Sequence, residues 1–144
     1  MPRFAANLTM MFNEEDFLDR FEAAASAGFK GVEYLFPYDY DVQQLREELD
    51  ANGLIQVLHN LPAGDWNAGE RGIACHPQRT GEFQEGVGRA IEYATALACE
   101  RVNCLASIPP EGVQSDTLRE TLVSNLRFAA GELGKAGIRL LIEP

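Results

Sequence analysis

Short apolar segments of strand length alternate along the chain with longer segments whose apolar residues recur every three or four positions. The short segments cover residues 4–8, 32–36, 54–58, 102–105 and 138–142. Apolar runs of this length without strict alternation predict strands that are buried on both faces. The four longer segments predict helices between them. The resulting order, βαβαβαβαβ, is typical of a parallel sheet with right-handed crossovers.

The predicted helices have start and stop signals. Asn13 is predicted to cap the first helix, and Gly28 to end it. Gly53 marks the end of the second helix. The third helix is predicted to begin at Thr80 and the fourth at Ser115.

The connection over residues 61–78 shows neither period and reads LPAGDWNAGERGIACHPQ. A stretch of this length without an element of its own is uncommon in a compact domain and usually carries function. It follows the third strand, on the carboxyl side of the sheet, where parallel α/β folds bind their ligands. We therefore expect this loop to contribute to a site.

Two architectures accommodate five parallel strands and four helices. One is a doubly wound sheet, and the other is the N-terminal part of a (β/α)8 TIM barrel, which typically needs about 250 residues when complete. A doubly wound nucleotide-binding domain is expected to carry a glycine loop or an acidic cluster after its first strand. Residues 9–13, TMMFN, contain neither. The barrel is favoured, as an α/β fold in a single domain over residues 1–144 that is cut after strand five.

Polar residues near the carboxyl ends of the predicted strands are Asn7, Glu33, His59, Asn60, Asn103 and Glu143. A charged group at the end of an apolar parallel strand is costly unless it is paired or binds a metal. Glu143 thus predicts either a group for cation binding and proton transfer or a solvated strand-end residue, and both interpretations stay open. From the residues alone, we expect structural roles for Glu33 and His59.

Composition narrows the function classes. The chain has 12 Lys+Arg against 22 Asp+Glu, a formal charge of −10, so no basic cluster supports nucleic-acid binding. No segment approaches the roughly 18 apolar residues of a membrane helix, and we expect no membrane contact. Three cysteines without metal-ligand spacing predict reduced thiols. Two histidines are too few for the His-rich trinuclear zinc site of a DNA-repair nuclease.

Several strings are specific enough to indicate a family. They are RFAANL at 3–8, GVEYLFPY at 31–38, HNLPAGDWNAGERGIA at 59–74 and LIEP at 141–144. In these strings the chain resembles the hydroxypyruvate isomerase family of xylose isomerase-like TIM barrels. The related 2-oxo-tetronate isomerases share the N-terminal string and rank second. The loop string is the most specific, because no generic barrel requires it.

The resemblance implies an intramolecular aldose–ketose isomerase that interconverts hydroxypyruvate and 2-hydroxy-3-oxopropanoate (tartronate semialdehyde). It implies a divalent metal, Mg²⁺ or Mn²⁺, and proton transfer by paired glutamates. Carried over by position, Glu143 is the first of these glutamates, both a metal ligand and a catalytic acid/base. His59, Glu70 and Arg71 would lie around the substrate, with Arg71 on its carboxylate. The partner would be a small hydroxy-oxo acid.

The resemblance further implies a cytoplasmic enzyme of glyoxylate metabolism, for which a homo-oligomer is one expected arrangement. The family's other metal ligands and its second catalytic glutamate belong to later strands than those in this sequence. We therefore expect the 144-residue chain to be an N-terminal fragment that is inactive alone. Two alternatives stay open, namely 2-oxo-tetronate isomerase and a non-enzymatic doubly wound binding module that uses the 61–78 loop.

Overall fold

The computed structural model describes residues 2–143 and contains five strands and four helices in alternation. The strands are β1 (Ala5–Asn7), β2 (Gly31–Glu33), β3 (Ile55–Asn60), β4 (Arg101–Leu105) and β5 (Arg139–Glu143). The helices are α1 (Asp19–Ser26), α2 (Val42–Asn52), α3 (Thr80–Ala96) and α4 (Ser115–Lys135). The predicted order of elements is confirmed.

All five strands form one parallel sheet in the order β1-β2-β3-β4-β5. A doubly wound sheet reverses its strand order at a switch point, and this sheet has no reversal within the described residues. The alternative of a doubly wound module is therefore wrong. An uninterrupted order of parallel strands, each followed by a helix, is the arrangement of a TIM barrel.

The apolar core lies between the strands and the helices, in two clusters. One cluster joins α1 and α2 to β1 and β2 and includes Phe21, Val32 and Leu45. The other joins α3 and α4 to the later strands and includes Val102 and Leu133. The helices therefore cover one face of the sheet, and their burial holds the carboxyl ends of the strands side by side.

The helix starts at Thr80 and Ser115 are confirmed, but the first helix begins later than predicted. Asn13 does not cap it. Its amide donates to the Met10 carbonyl (3.1 Å), and its Oδ1 accepts from Arg20 Nη1 (2.8 Å). Arg20 also donates to the carbonyl of Leu8 (2.8 Å), so this guanidinium ties the turn after β1 to α1. The apolar period around residue 17 belongs to that turn.

None of the helices within residues 2–143 combines the length and the apolar character that crossing a membrane requires. The three cysteines, Cys75, Cys99 and Cys104, are free and buried. Burial raises the pKa of Cys104 to about 12, so its thiol stays protonated and packs as a small apolar group.

Candidate active site at the carboxyl edge of the sheet

A cavity of about 370 Å³ lies at the carboxyl ends of the strands. Each strand contributes one polar side chain to its wall, in the order Asn7, Glu33, Asn60, Asn103 and Glu143. Tyr34 and apolar residues complete the wall, namely Met10, Leu35, Leu58, Leu141 and Ile142. Five of the six polar residues that the sequence placed at this edge thus line one cavity, and we call them the polar row.

Asn103 joins three members of the polar row. Its Nδ2 donates to Asn60 Oδ1 (3.1 Å) and to Glu143 Oε2 (3.0 Å). A carboxamide nitrogen carries two N–H groups, and Asn103 commits one to each acceptor. The position of Asn103 follows from the sheet register, because β4 lies between β3 and β5. The carboxylate of Glu143 is therefore held by a residue whose role the sequence did not reveal.

The other end of the polar row is a separate pair. Asn7 Nδ2 donates to Glu33 Oε1 (3.0 Å), and Asn7 Oδ1 accepts from the Thr9 backbone N–H (3.0 Å). Adjacent strands place these two side chains opposite each other, since Asn7 and Glu33 are partners in the β1–β2 ladder. Glu33 is thereby oriented toward the cavity by an amide.

Asn60 carries a buried donor that is not satisfied. In the described part of the chain, its Nδ2 has no hydrogen-bond partner. Its backbone carbonyl is anchored from the helical side by the Tyr38 hydroxyl (2.5 Å). An unsatisfied buried donor costs about 1–3 kcal/mol, and such costs are concentrated at functional sites. The signal available in sequence was the amide itself, in an otherwise apolar strand.

His59 points away from the cavity, into the layer between the sheet and the helices. It is fully buried, and Gln56 Nε2 lies 3.1 Å from its Nδ1. Because Gln56 Oε1 accepts from the Tyr34 hydroxyl, Gln56 donates to Nδ1, and the proton of the imidazole is on Nε2. Burial lowers the pKa of His59 to about 4. The nearby backbone carbonyl of Ala90 favours the protonated imidazole and so raises this pKa, but by less than burial lowers it.

This placement corrects the expectation that His59 contacts substrate. Asn60, the next residue in β3, occupies the cavity wall in its place. Successive side chains of a strand point to opposite faces, so a shift of one residue decides which of them reaches the site. The structural role that the residues alone suggested for His59 agrees with its position.

Glu70 and Arg71 lie in the loop after β3, and neither is among the residues lining the cavity. Both oxygens of Glu70 are engaged, Oε1 by Arg79 Nη1 (2.5 Å) and Oε2 by the Asp65 backbone N–H (2.5 Å). Both hydrogen bonds lower the pKa of Glu70, and the one from Arg79 has the larger effect. Arg71 stacks on Trp66, its Cζ 3.8 Å from the ring centroid, at the carboxyl side of the sheet.

Metal-ligating side chains are sparse in this part of the molecule. Among residues 2–143, no three His, Cys, Asp or Glu side chains lie close enough together to hold a metal ion. The carboxylates that face the cavity are Glu33 and Glu143.

The chain belongs to the xylose isomerase-like TIM barrel family, whose model matches residues 21–144. Hydroxypyruvate isomerase of Escherichia coli (strain K12) is 58% identical over 144 residues, which are 100% of this chain and 56% of that protein. A 2-oxo-tetronate isomerase of Cupriavidus necator is 50% identical over 144 residues, 100% of this chain and 55% of that protein. The resemblance that the strings indicated is thus confirmed.

A crystal structure described as AP endonuclease, family 2, from Brucella melitensis shares the fold with a TM-score of 0.96. It is 50% identical and covers 100% of this chain and 55% of that one. The chain therefore spans about half the length of the relatives that it matches. The barrel fold class predicted from sequence is confirmed.

Proposed function

We propose that the gene product is an isomerase of small hydroxy-oxo acids that interconverts hydroxypyruvate and tartronate semialdehyde. The observation that carries this proposal is the Glu143 carboxylate, which Asn103 holds at 3.0 Å in a cavity at the carboxyl edge of the sheet. Active sites of TIM barrels lie at this edge. The 58% identity to a hydroxypyruvate isomerase supplies the substrate class.

Glu143 would act as the acid/base group. Isomerisation removes a proton from C3 of hydroxypyruvate and delivers one to C2, while the hydroxyl proton passes from O3 to O2. A carboxylate with one oxygen fixed by Asn103 presents a defined basic atom to C3. The enediolate between the two transfers carries negative charge on its oxygens, and Asn60 Nδ2, which has no hydrogen-bond partner within residues 2–143, would donate to them.

The donor set fits the expected divalent metal in kind but supplies only part of its coordination. Mg²⁺ and Mn²⁺ prefer carboxylate and carbonyl oxygens, which Glu143 and the amides of the polar row provide. Glu143 would contribute one carboxylate ligand. When bound, the cation would supply positive charge beside the substrate oxygens.

Arg71 would bind the substrate carboxylate. A guanidinium presents N–H groups in a planar fork that matches a carboxylate, and stacking on Trp66 limits the orientations it can take. His59 would support this site from behind, through the strand that carries Asn60. The loop and the polar row together would then enclose a three-carbon acid.

The proposal is tested by assaying the full-length gene product on hydroxypyruvate and on 2-oxo-tetronate side by side, with Mg²⁺ or Mn²⁺ and with EDTA. We expect turnover of hydroxypyruvate that EDTA abolishes and that added metal restores. A second candidate, 2-oxo-tetronate isomerase, is favoured by the 50% identity over the whole chain. A larger kcat/KM on 2-oxo-tetronate would select it, and turnover of neither substrate would contradict both.

A further inference from the structure

The loop after β3 contains a compact segment, residues 63–72, which we call the Trp66 segment. Backbone hydrogen bonds close it, from Gly72 N–H to Ala63 O (2.9 Å) and from Glu70 N–H to Asp65 O (3.0 Å). At its centre, the Trp66 ring packs edge-on against Phe36, which follows β2, with centroids 5.1 Å apart. The segment is therefore folded in itself and attached to the carboxyl side of the sheet.

The carboxylate of Glu70 fills the inside of the Trp66 segment. It joins the segment's own backbone, at the Asp65 N–H, to Arg79, just before α3. Gly64 has φ +80°, and a Cβ at this position would overlap Glu70 Oε2. The positive φ favours glycine at position 64, and the missing Cβ leaves room for this carboxylate inside the segment.

Arg71 is held by the segment that Glu70 organises. Its Nη1 donates to the carbonyls of Trp66 (3.1 Å) and Glu70 (2.7 Å). Both of its hydrogen bonds within residues 2–143 come from Nη1. A guanidinium has five N–H groups, so the three on Nε and Nη2 are left for an acceptor outside the protein.

We propose that Glu70 is a positioning residue, which locks the Trp66 segment to Arg79 and so presents the Arg71 guanidinium, already oriented, to the substrate carboxylate. The carboxylate as ligand rests on the proposed function, whereas the locking does not. Glu70 thus acts through Arg71 and does not itself touch the substrate. This assigns a role to the residue that the sequence placed beside the substrate.

An arginine that is already oriented binds the substrate equally well in the ground state and in the transition state. If Arg71 loses its fixed orientation, KM therefore rises while kcat stays nearly unchanged. Releasing one long side chain costs a few-fold in affinity. We therefore expect Glu70→Gln to raise KM for hydroxypyruvate roughly 3- to 10-fold, with kcat within about twofold of the wild type. The matched control is Glu82→Gln, because Glu82 binds the same Arg79 (2.7 Å) from α3 and, within residues 2–143, makes no hydrogen bond to the segment.

The order of the Trp66 segment can be measured by tryptophan fluorescence, without an assay of turnover, because Trp66 is the one tryptophan of this sequence. In the full-length gene product, the spectrum of each variant is corrected by subtracting the same variant with Trp66→Phe. We expect Glu70→Gln to shift the Trp66 emission to longer wavelength and to increase its quenching by acrylamide. Glu82→Gln should leave both unchanged. Arg79→Gln, which removes the ion pair from the other side, should reproduce the effect of Glu70→Gln.

The pathway through Arg71 is tested by a double-mutant cycle. If Glu70 acts through Arg71, Glu70→Gln has no further effect on KM when Arg71 is already alanine. An equal rise in KM in that background would overturn the proposal, and so would a wild-type Trp66 emission in Glu70→Gln. A wild-type protein that turns over neither acid, while its Trp66 emission responds to Glu70→Gln, would confirm the locking and contradict only the proposed function.

Discussion

Residues that are adjacent in sequence lie in two polar regions on opposite sides of the sheet. Glu33 and Asn60 belong to the polar row on the cavity side, whereas Tyr34 and His59, next to them in sequence, form a chain with Gln56 on the helical side. The chain on the helical side is buried, with the Tyr34 ring packed against Phe17. We call Tyr34, Gln56 and His59 the buried chain.

The two regions differ in their surroundings. Each contains one buried nitrogen without a hydrogen-bond partner in the described part of the chain, His59 Nε2 in the buried chain and Asn60 Nδ2 in the polar row. In the buried chain, donors and acceptors are fixed in one direction, from the Tyr34 hydroxyl through Gln56 to His59, and burial keeps Tyr34 protonated by raising its pKa. In the polar row, Glu143 and the three asparagines line the cavity at the carboxyl edge of the sheet. The comparison agrees with a structural role for the buried chain and with the proposed catalytic role of the polar row.

The largest expected effect is on turnover and comes from Glu143. Glu143→Gln removes the proposed base while keeping its size, and we expect kcat on hydroxypyruvate in the full-length gene product to fall by about 10³-fold or more. Because glutamine has nearly the size and shape of glutamate, the thermal midpoint should stay near that of the wild type. Glu132→Gln, which alters a surface carboxylate paired with Lys135, serves as the control. Wild-type turnover in Glu143→Gln would remove the catalytic role from the polar row.

Asn103 should have the next largest effect, because it positions Glu143. Asn103→Ala removes the donations to Asn60 and to Glu143, and a misplaced catalytic group typically costs about 10²-fold in rate. The matched control is Asn125→Ala, which removes a buried asparagine on α4 that donates to the Ala74 carbonyl, far from the polar row. Steady-state kinetics and thermal melting of both variants separate the roles. A larger loss of kcat in Asn125→Ala than in Asn103→Ala would contradict the assignment.

Much of the fold could be predicted from sequence because the information is local. The apolar period located the starts of α3 and α4, although neither helix has a side-chain cap, and the parallel order placed the strand ends on one edge. The face to which each polar side chain points could not be predicted. Parallel strands are apolar on both faces, so the alternation that would separate His59 from Asn60 is absent from the pattern.

Contacts between distant segments were also beyond the sequence. The bridge from Asn103 to Glu143 joins residues 40 positions apart, and it depends on the register of β4 against β5. The engagement of Glu70 by Arg79 depends on how the loop folds back toward α3. The sequence therefore indicated which residue types reach the carboxyl edge, but not which of them are already occupied by protein partners.

The buried chain should make the free energy of unfolding depend on pH, because it contains His59. The pKa of His59 is about 4 in the folded state, below its ordinary value of 6.5, so the unfolded chain takes up the proton first as pH falls. The stability that neutral His59 contributes to the folded state is fully present above about pH 6.5 and is lost as pH falls toward 4. The free energy of unfolding should therefore fall by roughly 2 kcal/mol between pH 7.5 and pH 5 because of this residue. Urea unfolding of wild type and His59→Gln at both pH values measures it. An equal pH dependence in the two proteins would contradict this account.

Tyr34→Phe should give the smallest effect and the cleanest separation of the two regions. It removes the donor to Gln56 Oε1 in a buried site, so we expect a loss of about 1 kcal/mol in the free energy of unfolding. Tyr93→Phe is its control, since that hydroxyl donates to the Tyr40 carbonyl (2.8 Å) in a half-buried position where water can replace it. Because the Tyr34 hydroxyl lies on the helical side, kcat should stay within about twofold of the wild type. A drop in kcat with unchanged stability would mean that the buried chain reaches through β3 to Asn60, and that the two regions work as one.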